Sequence, residues 1–164
     1  MVHRESVARA AVTVACGAGL IHAIASLYWA LGGSWLLGTV GNWAVELVEE
    51  SPVGAGLLLG LIALAKAAAA IIPVLVDRRR MPWPRLWRGL CWVGGPVLVV
   101  YGALNVVVSV AVLTGLLEPE GGYDAAAMVG HALLWDPLFL IWGAALVIWL
   151  RLTVHRHLAS AESS

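Results

Sequence analysis

The chain has 164 residues, of which 61% are hydrophobic and 12% are charged, whereas charged residues make up about 25% of an ordinary soluble domain. This composition excludes a soluble globular protein and indicates an integral membrane protein with room for four helices of about 20 residues each. Ten basic and ten acidic residues give zero net charge and so no basic surface for nucleic acid, and two cysteines, Cys16 and Cys91, are too few for a secreted disulfide framework.

Four long apolar segments predict membrane-spanning helices, which together form an all-α four-helix bundle in a single domain over residues 1–164. The predicted spans are residues 9–31, 53–76, 90–116 and 126–149. The charged start of the first segment resembles a secretory signal, but its apolar stretch is longer than the core of such a signal. We therefore interpret it as a span.

The loop between the first two spans, residues 32–52, is too apolar for a plain linker. Its sequence NWAVELVEE predicts a short amphipathic helix lying on the outer membrane surface. The helix either anchors the loop in the interface or covers a cavity between the spans, and the sequence leaves both interpretations open.

The arginines orient the spans, because all nine lie on the same predicted side of the membrane. The loops on the other side carry only acidic charges. The positive-inside rule therefore predicts that both termini are cytoplasmic. The arginines are Arg4, Arg9, Arg78, Arg79, Arg80, Arg85, Arg88, Arg151 and Arg156.

Nine tryptophans are many for this length, and seven of them fall near the predicted ends of spans. Indole rings favour the membrane interface, so these seven need no functional explanation. They are Trp29, Trp35, Trp43, Trp83, Trp87, Trp92 and Trp149. Trp135 and Trp142 lie deeper in the fourth span, on one stripe with His131.

Each predicted span carries polar side chains near its centre: His22, Lys66, Tyr101 with Asn105, and Asp136. Ionisable groups are costly inside a membrane, so they usually face the bundle interior and find partners. Their shared depth predicts that these five side chains meet in one polar belt.

Lys66 lies 11 residues from Asp77, or roughly 16 Å along a helix, which is too far for its ammonium group to reach the interface. Asp136 is the nearest carboxylate in depth, and we predict that Lys66 and Asp136 form an ion pair, or a neutral hydrogen-bonded pair after proton transfer. Pro137 should kink the fourth span beside this aspartate. His131 is about 140° around an ideal helix from Asp136, which argues against a shared pocket.

Three motifs carry a family resemblance: His22 followed by WALGG at residues 29–33, the pair Tyr101 and Asn105, and WDPLFLIWG at residues 135–143. They resemble an uncharacterised family of small bacterial four-span membrane proteins. The resemblance implies a four-helix protein of the bacterial cytoplasmic membrane and no particular activity.

Three functions remain open. In the first, the protein is a membrane-embedded isomerase or cyclase that transfers protons on an isoprenoid or other lipid-like substrate. Asp136 is the acid, His22 the base, and Asn105 and Tyr101 orienting donors. The predicted substrate-contacting residues are Trp29, Trp135, Trp142 and His131, with Trp135 or Trp142 stabilising a carbocation.

The second function is proton- or solute-coupled transport through Asp136, Lys66 and His22, which would require a homo-oligomer because four spans are few for a transporter. The third is a membrane scaffold subunit whose polar belt only fixes helix assembly. No nucleotide-binding or metal-binding motif occurs, so we expect no cofactor and no metal, and a membrane lipid or other apolar small molecule as the partner.

Overall fold

The computed structural model describes the backbone of residues 2–161 and the side chains of residues 3–154. The described chain is helical and contains no strand, and four of its helices are long and apolar enough to cross a membrane. The predicted fold class is therefore confirmed. Arg156, one of the arginines behind the predicted orientation, lies outside the described side chains.

The helices follow in the order α1 (Val2–Ala30), α2 (Asn42–Glu50), α3 (Pro52–Asp77), α4 (Pro84–Leu113), α5 (Ala125–Gly130) and α6 (Asp136–Ala161). A short 3₁₀ turn, Leu37–Thr39, precedes α2, and a π-helical turn, His131–Trp135, joins α5 to α6. Prolines stand at the starts of α3 and α4, where their missing N–H costs nothing and their fixed φ favours a first helical turn.

The four long helices make an incomplete bundle. Helix α1 packs extensively against α3 and α6, and α6 packs extensively against α4, but α3 and α4 contact each other over only a short stretch. A seam therefore runs between α3 and α4. We call the end of the bundle with the turn at residues 78–83 the turn end, and the end with the loops at residues 31–51 and 114–124 the loop end.

Close approach of α4 and α6 depends on glycine. A Cβ on Gly102 of α4 would lie 2.7 Å from the Asp136 carbonyl oxygen and 2.8 Å from the Leu140 nitrogen. A Cβ on Gly143 of α6 would meet the Val99 nitrogen at 2.8 Å. Small residues let helix backbones come together where no hydrophobic driving force exists between helices in lipid. These contacts position the start of α6, which carries Asp136.

The turn end is held by a buried network around Trp149. The indole N–H of Trp149 donates to Asp77 Oδ1 at 2.9 Å, and the Arg88 guanidinium lies over the indole at 5.0 Å from the ring centre. Arg88 also donates to Thr153 Oγ1 at 2.9 Å. The network joins α3, α4 and α6 at the end of the bundle where the seam begins.

Two of the seven tryptophans predicted at the interface are buried instead. Trp149 is 0% exposed and Trp29 is 6% exposed, whereas Trp35 and Trp83 are more than two-thirds exposed. A position near the end of a span does not tell a buried tryptophan from an exposed one. The burial of Trp149 and Trp29 comes from contacts with other helices and with the loop. Whether these two residues lie at the depth of the membrane interface stays a prediction, since no membrane accompanies the helices.

Candidate functional site

The π-helical turn at His131–Trp135 sets the geometry of the site. Pro137 has no N–H, and in a regular helix its ring would press on the carbonyl of Leu133. A turn widened by one residue relieves this conflict, and such π-turns are common at functional sites. In a π-turn, residues five apart lie one above the other, so His131 reaches Asp136: their Nδ1 and Oδ2 atoms are 2.8 Å apart.

The argument that His131 and Asp136 point to different sides is therefore wrong, because it assumed 3.6 residues per turn. The second ring nitrogen of His131, Nε2, lies 3.2 Å from the carbonyl oxygen of Val40 in the loop before α2. A carbonyl only accepts, so Nε2 carries the hydrogen and donates. A second proton then lies between Nδ1 and Oδ2, on either the imidazole or the carboxyl, and the pair has zero net charge in both forms.

Asp136 is completely buried, with 0% of its surface exposed. Its Oδ2 contacts His131, while its Oδ1 has no hydrogen-bond partner among the described residues. Buried polar oxygens are almost always hydrogen-bonded, because an unpaired one loses its hydration without compensation. The unpaired Oδ1 is the most unusual polar atom of the site.

His22 lies on α1 and is 3% exposed. Its Nε2 donates to the carbonyl oxygen of Trp135 at 3.0 Å, an acceptor in the π-turn, where the backbone ladder is disturbed. The ring stacks on Phe139 with centroids 3.9 Å apart. In its neutral form, this imidazole keeps the lone pair of Nδ1 available as a proton acceptor.

Lys66 does not form the predicted ion pair with Asp136. Its ammonium group donates to Ser26 Oγ on α1 at 3.1 Å and lies 5.7 Å from the centre of the Phe139 ring. No carboxylate of the described residues lies within 4.0 Å of it. The prediction failed because the widened turn gives Asp136 a partner on its own helix, and Lys66 reaches α1 instead.

Tyr101 and Asn105 lie on α4, at the seam. The Asn105 amide donates to the Tyr101 carbonyl oxygen at 2.9 Å, one turn back on its own helix, so in this structure it does not orient Asp136. The Tyr101 ring packs edge-on against Phe139, with centroids 5.5 Å apart, and is 49% exposed. These two side chains form the α4 edge of the site.

These groups surround one cavity of about 450 Å³, which we call the polar cavity. Helices α3 and α4 form two of its sides, and Val40 and Trp43 line it from the loop end. It contains every predicted site residue except Trp142. Its remaining lining residues are His22, Ser26, Trp29, Leu59, Ile62, Lys66, Tyr101, Asn105, His131, Trp135, Asp136 and Phe139.

A second cavity of about 420 Å³ lies along the same seam toward the turn end, and we call it the apolar groove. Trp142 lines this groove rather than the polar cavity. Residues that line the two cavities are near neighbours in the sequence. Lys66 of the polar cavity is followed by the groove residues Ala68 and Ala69, and Tyr101 is preceded by the groove residue Leu98. The remaining lining residues are Ile72, Pro73, Trp87, Leu90, Cys91, Gly94, Val97 and Leu146.

The loop before α2 closes one end of the polar cavity. Val40 accepts from His131, and Thr39 Oγ1 accepts from the Trp135 indole at 3.0 Å. Gly130 permits this contact, since a Cβ there would collide with the Thr39 backbone. Helix α2 forms as predicted, and of the two interpretations of its loop, the contacts of Val40 and Thr39 favour a cover over the cavity.

Sequence reasoning missed Phe139 and Val40. Phe139 follows Asp136 by three residues and so lies on the same helix face, a spacing from which it could have been found. Val40 contributes only a backbone oxygen, for which the sequence carries no signal.

Comparison with known proteins gives a family and no further relative. The family model described as a protein of unknown function, DUF3995, matches residues 19–146, which include every residue lining the polar cavity. No curated protein and no solved structure matches the chain.

Proposed function

Because the chain belongs to the DUF3995 family, whose description assigns no activity, we propose a function from the geometry of the polar cavity. We propose that the protein is a membrane-embedded enzyme of the isomerase or cyclase type. It exchanges a proton with an isoprenoid or other lipid-like substrate that enters from the bilayer through the seam between α3 and α4.

The observation that carries this proposal is the state of the Asp136 carboxyl group. It is fully buried, it shares a proton with His131 through Oδ2, and its Oδ1 has no partner among the described residues. Little water competes for such a group, so a carboxyl there can keep a proton that it would lose in water. Oδ1 is covered by its neighbours, so the lining side chains must shift when the substrate enters.

The reaction that fits is a redox-neutral proton shuttle. Asp136 gives the proton that its Oδ2 shares with His131 to one carbon of a substrate double bond. Nδ1 of His22 then removes a proton from a neighbouring carbon, so the double bond moves and no atom is gained or lost. After the product leaves, His22 gives its proton to water and Asp136 takes one from water, so each cycle exchanges hydrogen with the solvent.

Aromatic rings favour the cationic intermediate of this shuttle. The rings of Trp135 and Phe139 lie beside His22, with ring centroids 5.7 Å and 3.9 Å from the imidazole. A ring face attracts positive charge through its quadrupole. Trp142, the other predicted cation-stabilising residue, would contact the substrate chain in the apolar groove instead.

The position of Lys66 also supports the acid role. An ammonium group in contact with Asp136 would hold the carboxylate ionised and make it a poor acid. Lys66 instead contacts Ser26, and the neighbour of the carboxyl is His131, with which it shares a proton.

The transport and scaffold alternatives receive less support. A proton relay across the membrane needs polar groups between the polar cavity and each end of the bundle. Toward the turn end, the apolar groove contains only Cys91 and two indoles among apolar side chains. A network serving assembly alone would be packed dry, without a cavity of about 450 Å³. We retain the proposal that both termini are cytoplasmic, which the arginine distribution supports.

Deuterium exchange tests the proposal even while the substrate is unidentified. Protein reconstituted with a bacterial lipid extract is incubated in D2O, and lipids are surveyed by mass spectrometry for carbon-bound deuterium. We expect one lipid class to gain deuterium beyond the level in protein-free liposomes. Extracts that stay unlabelled, including those enriched in isoprenoids, would contradict a proton-transfer enzyme.

Filling the apolar groove is expected to weaken substrate uptake. A Cβ on Gly94 meets no atom within 4 Å, so Gly94→Trp projects a large ring into the groove without a backbone clash. We expect at least about a tenfold higher substrate concentration for half-maximal exchange, equivalent to losing roughly two buried CH₂ contacts at about 0.8 kcal/mol each.

Gly89→Trp is the matched control for this prediction. Gly89 also lies on α4 with open space at its Cβ, but it does not line the groove. The control should exchange deuterium like the wild type. Equal behaviour of the two variants would show that the groove does not hold the substrate.

A further inference from the structure

Lys66 places a positive charge in the wall of the polar cavity, in the middle of α3. We propose that Lys66 binds the anionic head, a phosphate or a carboxylate, of an amphiphile whose chain lies in the apolar groove. This inference rests on the proposed function, because it names the chemical class of the molecule that occupies the same site.

The first argument is the charge balance of the cavity. The acidic and basic side chains that line it, apart from Tyr101, are His22, Lys66, His131 and Asp136. His131 and Asp136 cancel each other wherever their shared proton lies. His22 contributes either no charge or a positive one, so no negative charge in the lining remains for Lys66.

The second argument is the incomplete coordination of the ammonium group. A protonated lysine offers three N–H donors, and Lys66 uses one of them, to Ser26 Oγ. The Phe139 ring contributes a weaker contact at 5.7 Å. Phosphate and carboxylate oxygens are the acceptors that form short, charge-assisted bonds with such donors.

The third argument is that Lys66 cannot reach water by extending along its helix. It lies 14 residues from Pro52 and 11 from Asp77, or roughly 21 Å and 16 Å from the two ends of α3. Charges at such depth are normally paired or face a polar cavity. An anionic ligand would supply the missing partner.

The fourth argument is the position of the groove relative to this charge. Ala68 and Ala69 of α3 line the groove and follow Lys66 closely in the chain. A molecule with its head at Lys66 can therefore lay its chain along the seam toward the turn end. Its first carbons would lie within the cavity whose wall contains His22 and Asp136.

Native mass spectrometry with three probes of one chain length tests the inference. The purified protein is titrated with oleyl phosphate, oleic acid and oleyl alcohol, which share a chain and differ in the head. We expect the wild type to bind at least one anionic probe about tenfold or more tightly than the alcohol. The comparison of phosphate with carboxylate identifies the head.

Three variants locate the effect. Lys66→Met should bind all three probes alike, whereas Lys66→Arg should keep the preference for the anion. Arg80→Met removes an exposed cation from the turn end and should also keep it. Retained binding of oleyl alcohol by Lys66→Met shows that the variant is folded and its groove intact.

Two results would overturn the inference while leaving the proposed function in place. One is equal binding of anionic and neutral probes by the wild type, and the other is an unchanged preference in Lys66→Met. Failure of the wild type to bind any of the three probes would instead count against the lipid-binding cavity itself, and the inference would fall with it.

Discussion

Asp136→Asn is expected to lower the rate of deuterium incorporation into the substrate lipid by about 10²- to 10⁴-fold, the usual contribution of a general acid or base. Asparagine has nearly the same shape as aspartate, but its amide cannot give up or accept a proton at this step. The side chain keeps its place beside His131, because an amide can still hydrogen-bond to Nδ1. The loss should therefore appear in the rate and not in lipid binding.

Asp124→Asn is the matched control for this change. Asp124 precedes α5 and caps it by accepting from the Ala127 N–H at 3.1 Å, a role that the asparagine oxygen also fills. It does not line the polar cavity, so its exchange rate should stay within about twofold of the wild type. An Asp136→Asn protein that exchanges deuterium at the wild-type rate would refute the assigned role of the carboxyl group.

Trp149→Ala is expected to destabilise the bundle by about 3 to 5 kcal/mol, the range for deleting a large aromatic side chain from a packed core. Trp149 is 0% exposed and belongs to a cluster of buried side chains from α1, α3 and α6. Its indole also bonds to Asp77 and supports the Arg88 guanidinium. The change removes packing and leaves both charged groups without that partner. Unfolding by denaturant in detergent measures this loss of stability.

Two variants separate packing from hydrogen bonding at this position. Trp149→Phe keeps most of the buried ring and loses the bond to Asp77, so we expect a loss of about 1 to 2 kcal/mol. Trp83→Ala truncates an indole that is 72% exposed, and its effect should stay within about 0.5 kcal/mol. If Trp149→Ala unfolded at the same denaturant concentration as Trp83→Ala, the turn-end network would not hold the helices together.

The sequence predicted the four-helix fold because a long apolar segment has few alternatives to a spanning helix. When α5, the π-turn and α6 are taken as one continuous span, the helices begin and end within seven residues of the predicted spans, apart from the continuation of α6 to Ala161. Pro52 at the start of α3 and Gly32 after α1 mark two of the ends that agree within one residue. The predicted orientation stays a prediction, since no membrane accompanies the helices.

The contacts inside the bundle were harder to predict. The residues of the polar belt do line one cavity, although Tyr101 at its edge is 49% exposed. Which of them pair was not predictable from depth alone. The prediction assumed a regular α-helix, but the turn at His131–Trp135 is a π-turn with more residues per turn. Because of this one difference, Asp136 contacts His131 and not Lys66.

Photo-crosslinking tests most directly whether a lipid-like molecule occupies the seam. A prenyl phosphate carrying a diazirine at the far end of its chain is irradiated with the protein in liposomes, and the labelled residues are located by peptide mass spectrometry. We predict labels on the groove residues Ala69, Ile72, Leu90 and Val97, lost when oleyl phosphate competes. Labels confined to Leu64, Val93 and Val100, which are exposed and line neither cavity, and unaffected by competitor, would contradict a lipid site between α3 and α4.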